Sequence, residues 1–171
     1  QYRINENTSD CTGEGQAIVA AAATWNNVGA GFLFTHAGAH SRSQSSLDDQ
    51  NQIMWGSTNG SLATTTYWYR STTRIIIECD IVFDDSYDWS TASVPNSTSF
   101  DVESIALHEL GHWFNLRDLY GDIGDGVYDV AKVMNGFGSP GEVKRALHAD
   151  DIAGIQWIYT SPTTTVATPS I

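Results

Sequence analysis

His108-Glu109-Leu110-Gly111-His112 sets two imidazoles four positions apart, with a carboxylate beside the first. Residues i and i+4 share one face of a helix, so both rings can meet at one point only if this stretch is helical and one flank stays open. The flanking residues fit that demand. Val102 to Asn115 has apolar residues at helical spacing, and Thr98-Ser99 or Asp101 can cap the start. Two such imidazoles can share a metal ion, and Glu109 then stands where it can take a proton from an activated water. A hydrolytic zinc site needs a third protein donor and one open position. Asp118 lies six residues past His112 and can return to the metal if the helix stops near Asn115. That turn calls for positive φ, which Asn tolerates next best after Gly. Taken alone, Asp118 reads equally well as an exposed loop carboxylate.

The rest of the chain supplies a frame for this helix. Gly15 to Trp25 is alanine-rich, free of internal Gly and Pro, and reads as a first helix. Phe32-Leu33-Phe34-Thr35 and Gln52-Ile53-Met54-Trp55 read as short strands, with a polar loop from His40 to Gln50 between them. Leu62 to Tyr69 and Arg74 to Phe83 form two β-prone runs about a short Ser/Thr turn, which predicts an antiparallel hairpin at the edge of a mostly parallel sheet. Ala149 to Tyr159 predicts a closing helix, and residues 161–171 are a Thr/Pro-rich tail or the start of a linker, leaving 1–160 as one domain.

A length of 171 residues suits a single core and a single site. The net charge of -12 repels phosphate backbones, which argues against nucleic acid as a partner, and no apolar run reaches the length of a membrane span. A soluble monomer is expected. Cys11 and Cys79 lack metal-ligand spacing, so a disulfide between them is expected in an oxidising compartment, where a closed loop of that length contributes roughly 4 kcal/mol. No signal peptide is visible, and any secretion signal is expected to have been removed. Asn7, Asn59 and Asn96 open three glycosylation sequons. Asp122, Asp125 and Asp129, among glycines, fit either a calcium-wrapping loop or a solvated acidic one, and Asp84 with Asp85 and Asp88 fits the same pair of readings. His36, His40 and His148 have no spaced partner and read as ordinary surface or core histidines.

Several of these segments together resemble a known family. His108 to Asp118 reads HELGHWFNLRD, similar to the metzincin signature HExxHxxGxxH/D, with Asp in the third-ligand place as in the snapalysin group. Val133-Met134-Asn135 sits where metzincins have their Met-turn. Tyr2-Arg3-Ile4, Thr24-Trp25-Asn26, Asp80 to Asp84 and Asp150 to Gln156 resemble, in order, matrixin segments across nearly the whole chain.

The resemblance implies an α+β metzincin fold: a twisted five-stranded, mostly parallel sheet with one antiparallel edge strand, an N-terminal helix, an active-site helix and a C-terminal helix. It implies a secreted zinc endopeptidase acting on proteins or peptides. One catalytic zinc would sit on His108, His112 and Asp118, over Met134, with Glu109 as base. The edge strand, including Leu62, Ala63 and Thr64, would pair with substrate. Ser104, four before the first histidine, and Phe137, after the Met-turn, would wall the pocket for the side chain following the cleaved bond.

Departures from the family pattern carry information too. Asn115 replaces a Gly and Asp118 a His, which makes the ligand set harder. The loop between Trp55 and Leu62 is short and Val82 replaces a ligating His, so a second, structural zinc is not expected. Gly136 stands where astacin-like enzymes carry a Tyr ligand. A metal-binding but inactive module would lack Glu109. A carbohydrate- or surface-binding domain, suggested by six Trp and seven Tyr, would hold no metal.

Overall fold

The computed structural model describes residues 1–121 and 129–159. In chain order it comprises β1 (Tyr2–Ile4), α1 (Glu14–Asn26), β2 (His36–Ala39), β3 (Gln52–Gly56), β4 (Ala63–Tyr69), β5 (Ile76–Asp84), β6 (Trp89–Ser90), β7 (Phe100–Asp101), α2 (Val102–Trp113) and α3 (Ala149–Tyr159). Five strands form one sheet in the order β2-β1-β3-β5-β4, parallel throughout except for the β4–β5 pair. This is the expected metzincin-type α+β architecture, with β4 as the antiparallel edge.

Alternation along β5 explains how both sheet faces are covered. Cys79, Ile81 and Phe83 join a core with Trp25 of α1 and Leu107 and Leu110 of α2. The indole of Trp25 donates to the Leu107 carbonyl at 2.8 Å and ties the two helices together. On the other face, Glu78 and Asp80 are buried at 1% and 0% exposure and would be costly without partners. Each receives backbone N–H groups instead: Asp48 and Asp49 donate to Glu78, while Ser46 and Gln52 donate to Asp80. The polar loop after His40 is thus held down as a lid on that face.

Two expectations are corrected. The Phe32-Leu33-Phe34-Thr35 run is not a strand; β2 begins at His36. Phe34 is clamped at both backbone groups by the Asn26 side chain, at 2.8 and 3.0 Å, and its ring packs against Phe32, Trp113 and Phe114. Aromatic packing takes that segment away from sheet pairing. Nor do Cys11 and Cys79 form a disulfide; both are free thiols. Neighbours of Cys11 are tied beyond the C-terminal end of β5, through the Trp89 amide on the Asp10 carboxylate (3.2 Å) and the Thr91 hydroxyl on the Thr12 carbonyl (2.9 Å). Cys79 lies five residues before that end, about 16 Å at ~3.3 Å per residue, well beyond the ~7 Å that a disulfide spans between Cα atoms. Burial raises the thiols of Cys79 to about 12 and Cys11 to about 11.

β6 and β7, a short parallel pair not foreseen from the sequence, deliver the chain to α2. Among the described residues no helix is long and apolar enough to cross a membrane. The tail from residue 160 onward lies outside them.

Candidate metal centre

Helix α2 starts on Asp101, whose carboxylate accepts the Ser104 amide at 3.0 Å, a standard N-cap bond. It ends in a Schellman closure: the Asn115 amide donates to His112 O (2.8 Å) and the Leu116 amide to Gly111 O (3.2 Å). Asn115 takes φ 65°, the positive value that the turn toward Asp118 requires. The helix therefore stops where the sequence demanded, and the chain doubles back.

The turn brings three donor atoms together. His108 Nε2 and His112 Nε2 are 3.2 Å apart, and Asp118 Oδ1 lies 3.1 and 3.5 Å from them. Donors at ~2.0–2.1 Å from a tetrahedral ion are ~3.3 Å from one another, so this spacing fits zinc. Each imidazole uses its other nitrogen on a carbonyl, His108 Nδ1 on Val133 O (2.9 Å) and His112 Nδ1 on Leu116 O (2.8 Å). An Nδ1–H donated to a carbonyl leaves the Nε2 lone pair free for a cation. Burial works against charge on His108, yet Asp118, Glu109 and the Val133 carbonyl outweigh it and raise its pKa. The pocket favours positive charge at that ring. Asp118 is held below its ordinary range, chiefly by its hydrogen bond with His108.

Glu109 is 5% exposed, and its carboxylate lies within 4.8 Å of the two ring nitrogens. The Met134 sulfur fills the space beside Gly111: a Cβ there would come within 2.2 Å of Sδ. The Asp151 carboxylate accepts the amides of Val133 and Met134 at 3.0 and 3.2 Å and fixes this turn.

Above the donors runs a cleft of about 770 Å³ bounded by β4, α2 and the segment after Met134. Leu62, Ala63, Thr64, Ser104 and Phe137 all line it. Ser104 does not offer its hydroxyl to the cleft: Oγ donates to Asp101 Oδ2 (2.6 Å) and accepts the Lys144 amide (2.7 Å). Phe137 is 69% exposed and its ring rests on Tyr120, at 5.3 Å, instead of closing the cavity.

Two of the calcium candidates, Asp84 and Asp129, spend their carboxylates on protein. Asp84 accepts from the amides and hydroxyls of Thr58 and Ser86, and Asp129 from the Gly121 amide and the Lys132 ammonium. Asp122 and Asp125 lie outside the described residues.

Sequence reasoning passed over Thr65, Asp151 and Tyr120, whose hydroxyl hydrogen-bonds Asp118. Asp151 carried a faint signal as an acid in the first turn of a helix. Thr65 carried none.

Comparison with curated proteins gives no match. A family model described as Matrixin matches residues 1–160, nearly the whole chain. With the fold and the donor cluster both in place, the chain belongs to the matrixin family of metallopeptidases.

Proposed function

We propose that this chain is a secreted, monomeric zinc endopeptidase in which His108, His112 and Asp118 hold one catalytic ion and Glu109 is the general base. The observation that carries the reading is the convergence of two Nε2 atoms and one carboxylate oxygen at 3.1 to 3.5 Å, with both Nδ1 atoms already bonded to carbonyls. Zinc bound there would supply a Lewis acid and lower the pKa of a coordinated water.

The chain's own residues do the rest. Among the described residues the outer edge of β4 has no sheet partner, and it can take an extended peptide by backbone pairing, which lays one peptide bond across the donors. Glu109 takes a proton from the attacking water and passes it to the departing amine. Ser104, Phe137 and the residues between Met134 and Pro140 shape an open pocket for a medium to large apolar side chain after the cleaved bond. An extracellular setting is the one usual for matrixin domains.

The test pairs metal content with activity. Chelation should abolish peptide cleavage and one equivalent of zinc should restore it. Glu109→Gln should keep the zinc while kcat falls by ~10²–10⁴. Full cleavage by a verified zinc-free sample would remove the metal from the mechanism, and near-normal turnover by Glu109→Gln would assign the base elsewhere.

A further inference from the structure

Glu109 is held from outside its own helix. The hydroxyl of Thr65, midway along edge strand β4, lies 2.6 Å from Glu109 Oε2 and 3.2 Å from the Glu109 carbonyl. A hydroxyl has one proton to give, and the shorter contact, to a carboxylate, is the stronger hydrogen bond. The Thr65 side chain is half-buried and points from β4 toward α2, while Thr64 beside it is exposed. Both Thr65 and Glu109 line the cleft that holds the donor cluster.

We infer that Thr65 is a positioning residue for Glu109, fixing Oε2 so that Oε1 faces the reacting water. This rests on the reading of Glu109 as the base. A glutamate side chain has three rotatable bonds, and leaving them free disperses the carboxylate among rotamers that cannot reach the proton. Thr65 supplies the one side-chain hydrogen bond to that carboxylate among the described residues. Its location adds a second effect. The strand that would pair with the substrate backbone is the strand that restrains the base, so the bond to be cut and the proton acceptor share one rigid reference.

A residue acting in this way should affect turnover and leave binding alone. Thr65→Val keeps the shape and removes the hydroxyl; Thr65→Ser keeps the hydroxyl and removes a methyl group. With zinc content and zinc affinity unchanged, Thr65→Val should lower kcat ~10–100-fold and move KM less than ~2-fold. Thr65→Ser should stay within ~3-fold of the parent. Thr65→Ala serves as a second hydroxyl-free variant should Val disturb the strand, and unfolding midpoints establish that each variant is folded. In a Glu109→Asp background, whose shorter carboxylate cannot meet the hydroxyl, Thr65→Val should have no further effect.

Parent-like kcat in Thr65→Val and Thr65→Ala overturns the inference. So does equal damage by Ser and Val, which would assign the role to packing, or a rise in KM at constant kcat, which would assign it to substrate pairing. Failure of the underlying reading looks different: Glu109→Gln would itself turn over normally.

Discussion

Asp151 holds Met134 in place through the backbone: its two carboxylate oxygens take the Val133 and Met134 amides at 3.0 and 3.2 Å, and Oδ2 also takes the His148 amide at 2.9 Å. The Val133 carbonyl in turn accepts from His108 Nδ1 at 2.9 Å. One buried carboxylate therefore connects the start of α3 to the orientation of a donor histidine. Asp151→Ala would strand up to three amides, each costing ~1–3 kcal/mol where water cannot replace the acceptor. The expected result is a loss of several kcal/mol in urea unfolding and zinc affinity weaker by ~10–100-fold in a chelator competition. Unchanged zinc affinity in a folded Asp151→Ala variant would show that His108 does not depend on this turn.

Gly111 is expected to tolerate no side chain. A Cβ would lie 2.2 Å from Met134 Sδ and 3.1 Å from Trp25 Cζ2, and both neighbours are buried, at 2% and 1% exposure. Overpacking costs ~1–3 kcal/mol, which more than offsets the ~1 kcal/mol that Ala gains over Gly in a helix. Gly111→Ala should lower the thermal midpoint and weaken zinc binding, since both histidines flank the crowded turn. Met134→Ala should relieve part of the cost in the double variant. Additive effects of the two substitutions would place Met134 away from Gly111.

How much of this was legible in the sequence depends on the range of the interaction. His108 and His112 share a helical face by spacing alone, and Asn115 announced the turn because few residues accept φ 65°. The β4–β5 hairpin and α3 were legible for the same local reason. β2 was not: its His-Ala-Gly-Ala stretch has weak strand preference, while the preceding aromatic run looked like a strand and was drawn into packing on α2. The Thr65–Glu109 contact joins residues 44 apart, and one threonine among three in a row carries no mark of the role. Nothing in the spacing of Tyr120 from Asp118 marks a hydroxyl that would hydrogen-bond the carboxylate.

The thiols offer a direct check on the missing cross-link. With no reductant present, the unfolded chain should titrate two thiols. In the folded protein Cys11, half-buried and raised to about 11, should react slowly, and Cys79, buried and raised to about 12, should react only on unfolding. A chain that releases thiols only after reduction would restore the disulfide expected from the sequence.

The last prediction concerns two acids of β5 whose shifts oppose each other. Burial raises Asp80 from 3.8 to about 6, with Glu78 and Asp48 adding to it, and the two amides from Ser46 and Gln52 offset only part. Burial also acts to raise Asp84, but the hydrogen bonds from Ser86 and Thr58 outweigh it and hold the carboxyl well below its ordinary range. A raised carboxyl favours the folded state when protonated. The Asp80 contribution is therefore full below about pH 4 and lost as pH rises through about 6. Asp84 works the other way: its contribution is present above about pH 4 and lost as pH falls toward its lowered folded value. Stability from this pair should peak near pH 4 and fall on either side, with the Asp80 share, lost between about pH 4 and 6, amounting to something on the order of 3 kcal/mol at ~1.4 kcal/mol per pKa unit. Asp80→Asn isolates that share. The variant loses one acceptor and should be the less stable at pH 4, yet the gap to the parent should narrow by that amount between pH 4 and 8 in urea unfolding. Because both proteins keep the same proposed metal site and nearly the same surface charge, those contributions cancel in the difference. A gap that stays constant across the range would mean that Asp80 titrates near its ordinary value and that the lid over this face is held by a carboxylate at no cost.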